Sequence, residues 1–501
     1  MTITSTEPAV AALREALAGR TGRGERFAGL SAFRSGGTVT LSAYVTAPGR
    51  IDTLEATLPP GARGYPSLTL APPAIGAAFW YERLIHDETG IVPEGHPRLA
   101  PLVKPGDPLP RHVTGYGLFT IPHGPVRSGV TESMEYLVET PGEAIPHLNM
   151  RIFYKHRGVA GRFTGMTAGD GVLLAERAEG IASVAHALAY CHAVEAIAGC
   201  EIPREAALVR VAYAELERIA NHLDVAVRLA DAAGLAVATA RFALHKERVL
   251  RLVSAMCGSR FGRGVVVPGG VSAFPRKRPA EILAGLASLE QQVTADMHAL
   301  LGTSSFLDRL RGTGPLTPAR AREHGALGPI GKASGFADDA RLTRPYDGYA
   351  VLLPGGLSSA WGAPAPHSPW PPGDPPHGGL AQPPIPPRGD ALARLRVRAE
   401  EVTQAFGLIR LALSDFPERT QLTPNVPCEP GDGRTLGWAE APQGEVFYDV
   451  TIAGGRITSC QPRSASFHNL VLMHEVFAGD ILTDFPFIEA SFGLSAAGAA
   501  L

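Results

Sequence analysis

Residues 203–223 read PREAALVRVAYAELERIANHL, and this stretch decides the fold class. Apolar side chains recur in it every three or four residues, which is the spacing of one face of an α-helix. They are Leu208, Val211, Ala212, Leu216, Ile219 and Leu223. Pro203 stands just before the pattern, where its fixed φ angle suits the first turn of a helix. The stretch therefore predicts a long helix with one face in a core.

Long helical patterns continue on both sides, from Ala178 to about Arg311. Helices are predicted over Ala236–Cys257, from about Pro279 to Leu301, and from Asp390 to about Ser414. Because the loops between the first of these helices are short, a bundle of packed helices is the economical arrangement. Strand patterns flank the bundle, at Glu135–Glu139, Ala144–Phe153, Glu445–Ile452 and Ile457–Cys460.

The first 110 residues alternate short apolar runs with turn signals. Thr38–Val45 has the alternation of a strand, and Ile75–Thr89 has the periodicity of a helix that Gly90 ends. The predicted fold class is therefore α+β. A small N-terminal α+β domain, residues 1–115, precedes a large, mainly helical bundle domain with flanking β segments, residues 116–501. A Pro-rich insertion at about 354–388 interrupts the second domain and favours an extended loop.

Composition excludes several classes of protein. The 501 residues carry a formal net charge of -2, which argues against a general nucleic-acid binder. The five cysteines form no CxxC pair, so there is no disulfide, zinc or iron–sulfur signature. The N-terminus lacks the basic start and apolar run of a signal peptide. The apolar stretch Ile181–Cys200 is interrupted by His186, His192 and Glu195, so it predicts a buried helix and not a membrane span.

Several motifs occur in one collinear order. They are ERLIHDETGI at 82–91, EGHPRL at 94–99, YKHRG at 154–158, ELERIANHL at 215–223, GALGPIGKASG at 325–335 and SFHNL at 466–470. The first two resemble the small hydrophilic subunit of complex I that docks on the quinone-side subunit. The others resemble the large subunit of membrane-bound [NiFe] hydrogenases and its complex I homologue. The chain thus resembles a fusion of both, as in the hydrogenase of formate hydrogenlyase.

The chain departs from that family at the metal site. The resemblance implies two CxxC pairs that hold nickel and iron, and the first pair falls on Glu179 and Ala182. The tail after Asp484, where the second pair belongs, has no cysteine, and Ala160 replaces the acidic proton relay that follows the HRG motif. Since such a centre needs soft thiolates, we expect no [NiFe] centre and no metal ligands in this chain.

The quinone-binding pattern of complex I is also broken. The resemblance implies a Tyr and a loop His that bind the quinone headgroup. The Tyr position falls on Gly180 and the His position near Thr131, with His123 and Arg127 close by in the sequence. A standard headgroup site is not supported. The Gly-rich stretch 262–270 lacks the strand–loop–helix context of a dinucleotide site, so a separate subunit would have to bind NAD.

Four residues are candidate catalytic groups: Glu179, His156, Arg157 and His186. Glu179 stands where a metal ligand would be, and burial in an apolar cleft would raise its pKa and make it a proton carrier. The alternative is an exposed carboxylate or one paired with Arg177. His186 lies seven residues on, at a spacing that shares a helix face, and is alternatively a core histidine. His156 and Arg157 either face the remaining cavity or structure the turn before Gly158.

Two other polar sets have structural alternatives. One set shares a helix face and consists of Glu215, Arg218 and His222. It forms either a polar track through the bundle or a buried packing network. His86, Asp87 and His96 offer metal-ligating atoms, but in the relatives these segments form an interface and turns.

The resemblance implies a subunit of a membrane-associated complex I-like or hydrogenase-related oxidoreductase complex. The expected partners are a small iron–sulfur subunit and antiporter-like membrane subunits. The expected role is electron transfer to a quinone or another acceptor, and the expected location is the cytoplasmic side of the membrane, as a peripheral subunit. The alternative is a non-catalytic scaffold that bridges the iron–sulfur partner and the membrane arm. Whether the chain keeps enzymatic chemistry depends on what fills the cleft around Glu179.

Overall fold

The computed structural model describes residues 7–35, 37–70, 73–127, 131–336, 338–353, 388–414, 416–417 and 422–501. The predicted insertion at 354–388 lies almost wholly outside the described residues. The described residues combine helices with several small sheets, as expected for an α+β protein. The division into domains at residue 115 stays a prediction.

The helices are numbered in chain order. They are α1 Glu7–Gly22, α2 Phe79–Thr89, α3 Val159–Arg162, α4 Ala168–Ala175, α5 Ser183–Ala198, α6 Arg204–Ala232, α7 Ala236–Cys257, α8 Pro279–Leu301, α9 Ser304–Leu310, α10 Pro318–Glu323, α11 Gly328–Ala333, α12 Ala340–Thr343, α13 Asp347–Leu352, α14 Ala391–Ser414, α15 Ala465–Leu470, α16 Met473–Val476, α17 Phe485–Phe492 and α18 Ala496–Ala499.

Within the described residues, the strands form three three-stranded antiparallel sheets and two short pairs. They are β1 Phe27–Ser35, β2 Thr38–Ala47, β3 Arg50–Leu58, β4 Gly64–Pro66, β5 Val92–Glu94, β6 Phe119–His123, β7 Glu135–Thr140, β8 His147–Arg151, β9 Val266–Val267, β10 Gly270–Val271, β11 Gly433–Ala441, β12 Gly444–Ala453 and β13 Arg456–Arg463. Each three-stranded sheet is a meander of neighbouring strands.

The predicted helices are confirmed. α7 and α8 have the predicted bounds, because Gly258 ends the first with a φ of 90° and Pro279 stands in the first turn of the second. The bundle core lies between α5, α6, α7, α8 and α14, with the β11–β13 sheet packed on α5. Among the described helices, none has the length and apolar character needed to cross a bilayer.

A second core joins the N-terminal sheet to the end of the chain. Its buried residues include Leu41 and Trp80 from the N-terminal part, Tyr136 from the β6–β8 sheet, and Phe467 and Phe492 from the C-terminal part. The C-terminal segment therefore contributes to this second core, and Gly498 reaches the turn that precedes α5.

Candidate functional site

Glu179 is a fully buried carboxylate in the turn before α5. Its Oε1 accepts a hydrogen bond from the Ser466 hydroxyl at 2.6 Å, and its Oε2 lies 3.3 Å from Nε2 of His186. Arg177 pairs with Glu176 instead. The alternative of an exposed or Arg177-paired Glu179 is therefore wrong.

The hydrogen-bonded chain continues from Glu179 through His186 to Tyr448 on β12. The Tyr448 hydroxyl lies 2.8 Å from Nδ1 of His186. An imidazole whose Nε2 carries the proton would donate to Glu179 and accept from Tyr448 through Nδ1. Burial raises the pKa of Tyr448 well above its ordinary value, so this hydroxyl stays protonated and can donate.

The C-terminal tail closes over this buried set. A Cβ on Gly498 would lie only 2.4 Å from Cδ of Glu179, so the tail backbone rests on the carboxylate. The Ser495 amide donates to the Ser466 hydroxyl oxygen at 3.1 Å. Arg157 donates to the carbonyl of Ala497 at 2.9 Å and to that of Ala178, which ties the tail to the turn. The position beside Glu179 is thus filled by protein.

His156 lies apart from Glu179. It is half-buried beside the backbone of Ala500 and Leu501, and burial lowers the pKa of its imidazole. Burial also lowers the pKa of the Arg157 guanidinium, which is held by backbone carbonyls. The structure thus joins Glu179 to His186 and places Arg157 beside the same turn, but forms no hydrogen bond between His156 and Glu179.

Glu217 of α6 holds the start of α5 in place. Its carboxylate accepts the backbone N–H groups of Val184 at 2.7 Å and Ala185 at 3.1 Å, which lack partners within the helix. Burial raises the pKa of Glu217 to about 8. Since His186 follows one turn later, this contact fixes the direction from which the imidazole approaches Glu179.

The residues at the thiolate positions do not fit a nickel–iron centre. Glu179 offers one hard carboxylate that already accepts two hydrogen bonds, and the buried Ala182 offers no donor atom. In the part of the chain that the structure describes, no three His, Cys, Asp or Glu side chains group in a way that could hold a metal ion. A bimetallic site of soft ligands therefore has no donor set here.

A large cavity lies next to the Glu179 set, between the β6–β7 hairpin and α17 with the tail. We call it the hairpin cavity. Its volume is about 590 Å³, and its wall includes His123, Arg127, Thr131, Glu132, Ile181 and Glu489. Ligand pockets commonly range over about 300–1,000 Å³. The sequence placed His123, Arg127 and Thr131 close together in one loop, and the structure places all three on one wall.

An ion pair lies on the wall of the hairpin cavity. Arg127 donates to Glu489 at 2.8 Å, and the Tyr136 hydroxyl donates to the other carboxylate oxygen at 2.8 Å. Burial alone would lower the pKa of Arg127, but the bond to Glu489 raises it above its ordinary value, so the guanidinium stays charged. Burial lowers the pKa of His123, which favours the neutral imidazole.

The cavity is connected to Glu179 through the tail. The Ser495 hydroxyl donates to Glu132 on the cavity wall at 2.9 Å, while the Ser495 amide bonds to Ser466 beside Glu179. Sequence reasoning missed Tyr448, Glu132 and Glu489 as members of this region. Ser466 was visible as part of SFHNL, but nothing in that motif indicates a partner 287 residues away.

The remaining polar motifs are structural. Arg218 bonds to Glu215 at 3.1 Å and His222 to Glu401 at 2.7 Å within a buried network of ion pairs. The His96 imidazole lies 3.0 Å from the carbonyl of Phe79, and Asp87 accepts backbone N–H groups. The set on α6 therefore matches the alternative of a buried packing network, and the N-terminal set matches the alternative of interface and turn segments.

Replacing Glu179 by leucine is expected to destabilise the protein by about 1–3 kcal/mol relative to Glu179→Gln, because leucine leaves the Ser466 hydroxyl and the His186 N–H buried without an acceptor. Urea unfolding of the two variants, followed by circular dichroism, measures the difference. Equal stability of the two variants would show that these bonds do not hold the tail on the turn.

Comparisons with known proteins agree with this architecture. The family model described as respiratory-chain NADH dehydrogenase, 49 Kd subunit, matches residues 233–352. Formate hydrogenlyase subunit 5 of Escherichia coli is 27% identical over 85% of this chain and 75% of its own length. An NADH-quinone oxidoreductase subunit of Thermodesulfovibrio yellowstonii is 25% identical over 72% of this chain and 91% of its own length.

Membrane-bound hydrogenase subunit alpha of Pyrococcus furiosus is 30% identical over 73% of this chain and 83% of its own length. This chain belongs to the family that unites the 49 kDa subunit of respiratory-chain NADH dehydrogenase with the large subunits of membrane-bound hydrogenases.

Proposed function

We propose that this chain is a subunit of a membrane-associated, complex I-like oxidoreductase complex and relays electrons from a partner iron–sulfur subunit to a quinone or another small acceptor, without a [NiFe] centre. Its relatives are named as subunits of NADH-quinone oxidoreductases and of a membrane-bound hydrogenase. The partners would be the small iron–sulfur subunit and antiporter-like membrane subunits, with this chain peripheral on the cytoplasmic side. NAD would be bound by a separate subunit.

The hairpin cavity is the observation that carries this proposal. Its volume of about 590 Å³ suits a ring-sized headgroup, and it combines apolar walls with the Arg127–Glu489 pair and His123. Arg127 can donate to a carbonyl oxygen of the acceptor, and Glu489 holds the guanidinium in place. Reduction of a quinone to a quinol takes two electrons and two protons. The electrons would come from the partner's cluster, and the protons would pass through wall groups such as His123 and Glu132.

Replacing Arg127 by glutamine is expected to lower kcat/KM for quinone reduction about tenfold or more, because hydrogen bonds from a charged donor are worth about 1.5–3 kcal/mol. Ala490→Trp, which fills the cavity from α17, is expected to give a similar loss. Both are measured in the intact complex purified from its membrane, with reduced methyl viologen as electron donor and decylubiquinone as acceptor.

In the same assay Glu179→Gln tests whether the buried carboxylate carries protons. Unchanged turnover in this variant would show that Glu179 has no such role.

Arg251→Gln is the matched control, since Arg251 is an exposed guanidinium of α7 paired with Glu247, away from the cavity. It should leave turnover unchanged. Normal quinone reduction by assembled complexes with Arg127→Gln and Ala490→Trp would refute the cavity as the acceptor site. Stoichiometric nickel in the purified complex would refute the absence of a [NiFe] centre.

A non-catalytic scaffold is the second candidate, favoured by the filled position beside Glu179. The tail backbone at Gly498 contacts that carboxylate, and Ala182 is fully buried. A scaffold predicts that the cavity variants affect neither turnover nor assembly, whereas disruption of the tail affects assembly alone. The assay above therefore separates the two candidates.

A further inference from the structure

A group of basic side chains lies between helix α2 and the β6–β8 sheet. We call it the basic cluster: Arg83, Arg98, His112, His147 and His474. The rings of His112 and His147 have centroids 4.7 Å apart, and Arg98 donates to Nε2 of His147 at 3.3 Å. Arg98, His147, Arg83 and His112 all act electrostatically on His474. Five basic side chains therefore share one neighbourhood.

Four polar groups in this neighbourhood are buried without a hydrogen-bond partner among the described residues. They are Nε1 of Trp80, Nη1 of Arg83, Nη1 of Arg98 and Nε2 of His474. Trp80 and Arg83 are each 1% exposed and lie one turn apart on α2. The Trp80 and His474 rings meet nearly at right angles, with centroids 6.1 Å apart. Buried polar groups are nearly always satisfied, so a cluster of four such groups indicates something that they bind.

The two carboxylates nearby do not satisfy these donors. Asp87 accepts the amides of Leu102 and Val103, each at 2.8 Å. Glu139 accepts the His112 amide at 2.8 Å and the Nδ1–H of His147 at 3.2 Å. Both acids therefore accept hydrogen bonds from the segments that they anchor. Arg83 donates through Nε and Nη2 to the carbonyls of Ala100 and Pro101, so that Nη1 of Arg83 and Nη1 of Arg98 are the arginine nitrogens left without a partner among the described residues.

The electrostatics favour an anion over water alone. Burial lowers the pKa of Arg83 to about 10, an effect that the Asp87 carboxylate opposes and the Arg98 charge adds to. Burial also lowers the pKa of Arg98. Asp87 acts favourably on Arg83 and Glu139 on Arg98, but both guanidinium groups remain partly desolvated. Water would satisfy the N–H groups without adding negative charge, whereas an anion would satisfy them and offset the remaining positive charge.

We propose that the basic cluster binds a small inorganic oxyanion of the phosphate or sulfate class, held by Arg83, Arg98, Trp80 and His474. An oxyanion offers several acceptor lone pairs to the N–H groups of Trp80, Arg83 and Arg98, and to His474 in the tautomer that carries its proton on Nε2. The guanidinium of arginine matches the geometry of such an ion. A small free ion fits this cluster better than a large ligand, because Trp80 and Arg83 are almost fully buried and His112 is its exposed member. The ion would tie the ERLIHDETGI and EGHPRL motifs to the sheet and to the C-terminal segment.

The test uses the full chain, dialysed free of phosphate and sulfate and titrated with sodium phosphate and then sodium sulfate by isothermal titration calorimetry. We expect saturable binding of one ion per chain. Arg98→Gln should weaken phosphate binding at least tenfold, since it removes a charged donor. Arg111→Gln, an equal charge change at the neighbouring exposed Arg111, should change it less than twofold.

A second measurement uses the unaltered chain, so its result does not depend on whether the Arg98 variant folds. Phosphate should raise the Tm of the unaltered chain more than sodium chloride does at equal ionic strength. Equal effects of the two salts, absence of saturable binding, or equal loss in Arg98→Gln and Arg111→Gln would each overturn the proposal and leave ordered water as the partner of these donors.

Discussion

Replacing Arg341 by leucine is expected to lower the free energy of unfolding by about 3–5 kcal/mol, because it breaks a fully buried ion network from one side. Arg341 is completely buried, donates to both carboxylate oxygens of Asp339 at 3.0 and 2.8 Å, and bonds to Glu215 at 3.1 Å. Leucine would leave Asp339 with Lys332, and Glu215 with Arg218 and the Tyr349 hydroxyl. Urea unfolding at pH 7, followed by circular dichroism, measures the loss.

Arg251→Leu is the control for this prediction. Its guanidinium is exposed and forms only a surface pair with Glu247, so the expected change is within about 0.5 kcal/mol. A loss below about 1 kcal/mol in Arg341→Leu would mean that desolvation and attraction nearly cancel in the network even when one partner is removed.

Gly437→Val is the second change with a large expected effect, about 3 kcal/mol or more. Strand β11 lies so close to α5 that a Cβ on Gly437 would be 2.2 Å from the carbonyl oxygen of Ala189 and 2.3 Å from the backbone nitrogen of Ala193. Backbone atoms cannot yield as a flexible side chain can, so any side chain must push α5 off the sheet. Thermal unfolding of the purified chain measures the effect as a fall in Tm.

Gly431→Val serves as the matched substitution, because Gly431 lies just before β11 and nothing approaches its Cβ position within 4 Å. It should leave the Tm nearly unchanged. Since α5 carries His186 and the same sheet carries Tyr448, Gly437→Val should also separate that pair. An unchanged Tm in Gly437→Val would show that α5 and β11 do not pack in this way.

The bundle helices could be predicted because their signals are local. Periodic apolar residues mark the buried face of α6, and Gly258 and Pro279 mark the ends of α7 and α8. Alternating apolar and polar residues, together with turn residues, predicted four strands in the same way: β2, β7, β12 and β13. Element bounds shifted by a few residues where no cap residue marks the end.

The contact between Glu179 and His186 was predicted for the wrong reason. A spacing of seven residues places two side chains on one helix face, but α5 begins at Ser183 and Glu179 lies in the turn before it. The two groups meet because the turn folds back over the start of the helix, where Glu217 holds the first amides. The environment of Glu179 also depends on Ser466 and Gly498, whose approach no local pattern encodes.

The sequence by itself determined the family, the α+β class, the long helices and the loss of thiolates at the metal positions, because each depends on residue identity or on spacing within one segment. Only the tertiary structure decided that the Glu179 position is filled by the tail, that the hairpin cavity lies beside it, and that the Arg and His residues of the N-terminal motifs form a basic cluster. Those features join segments hundreds of residues apart, and their contacts arise from the path of the whole chain.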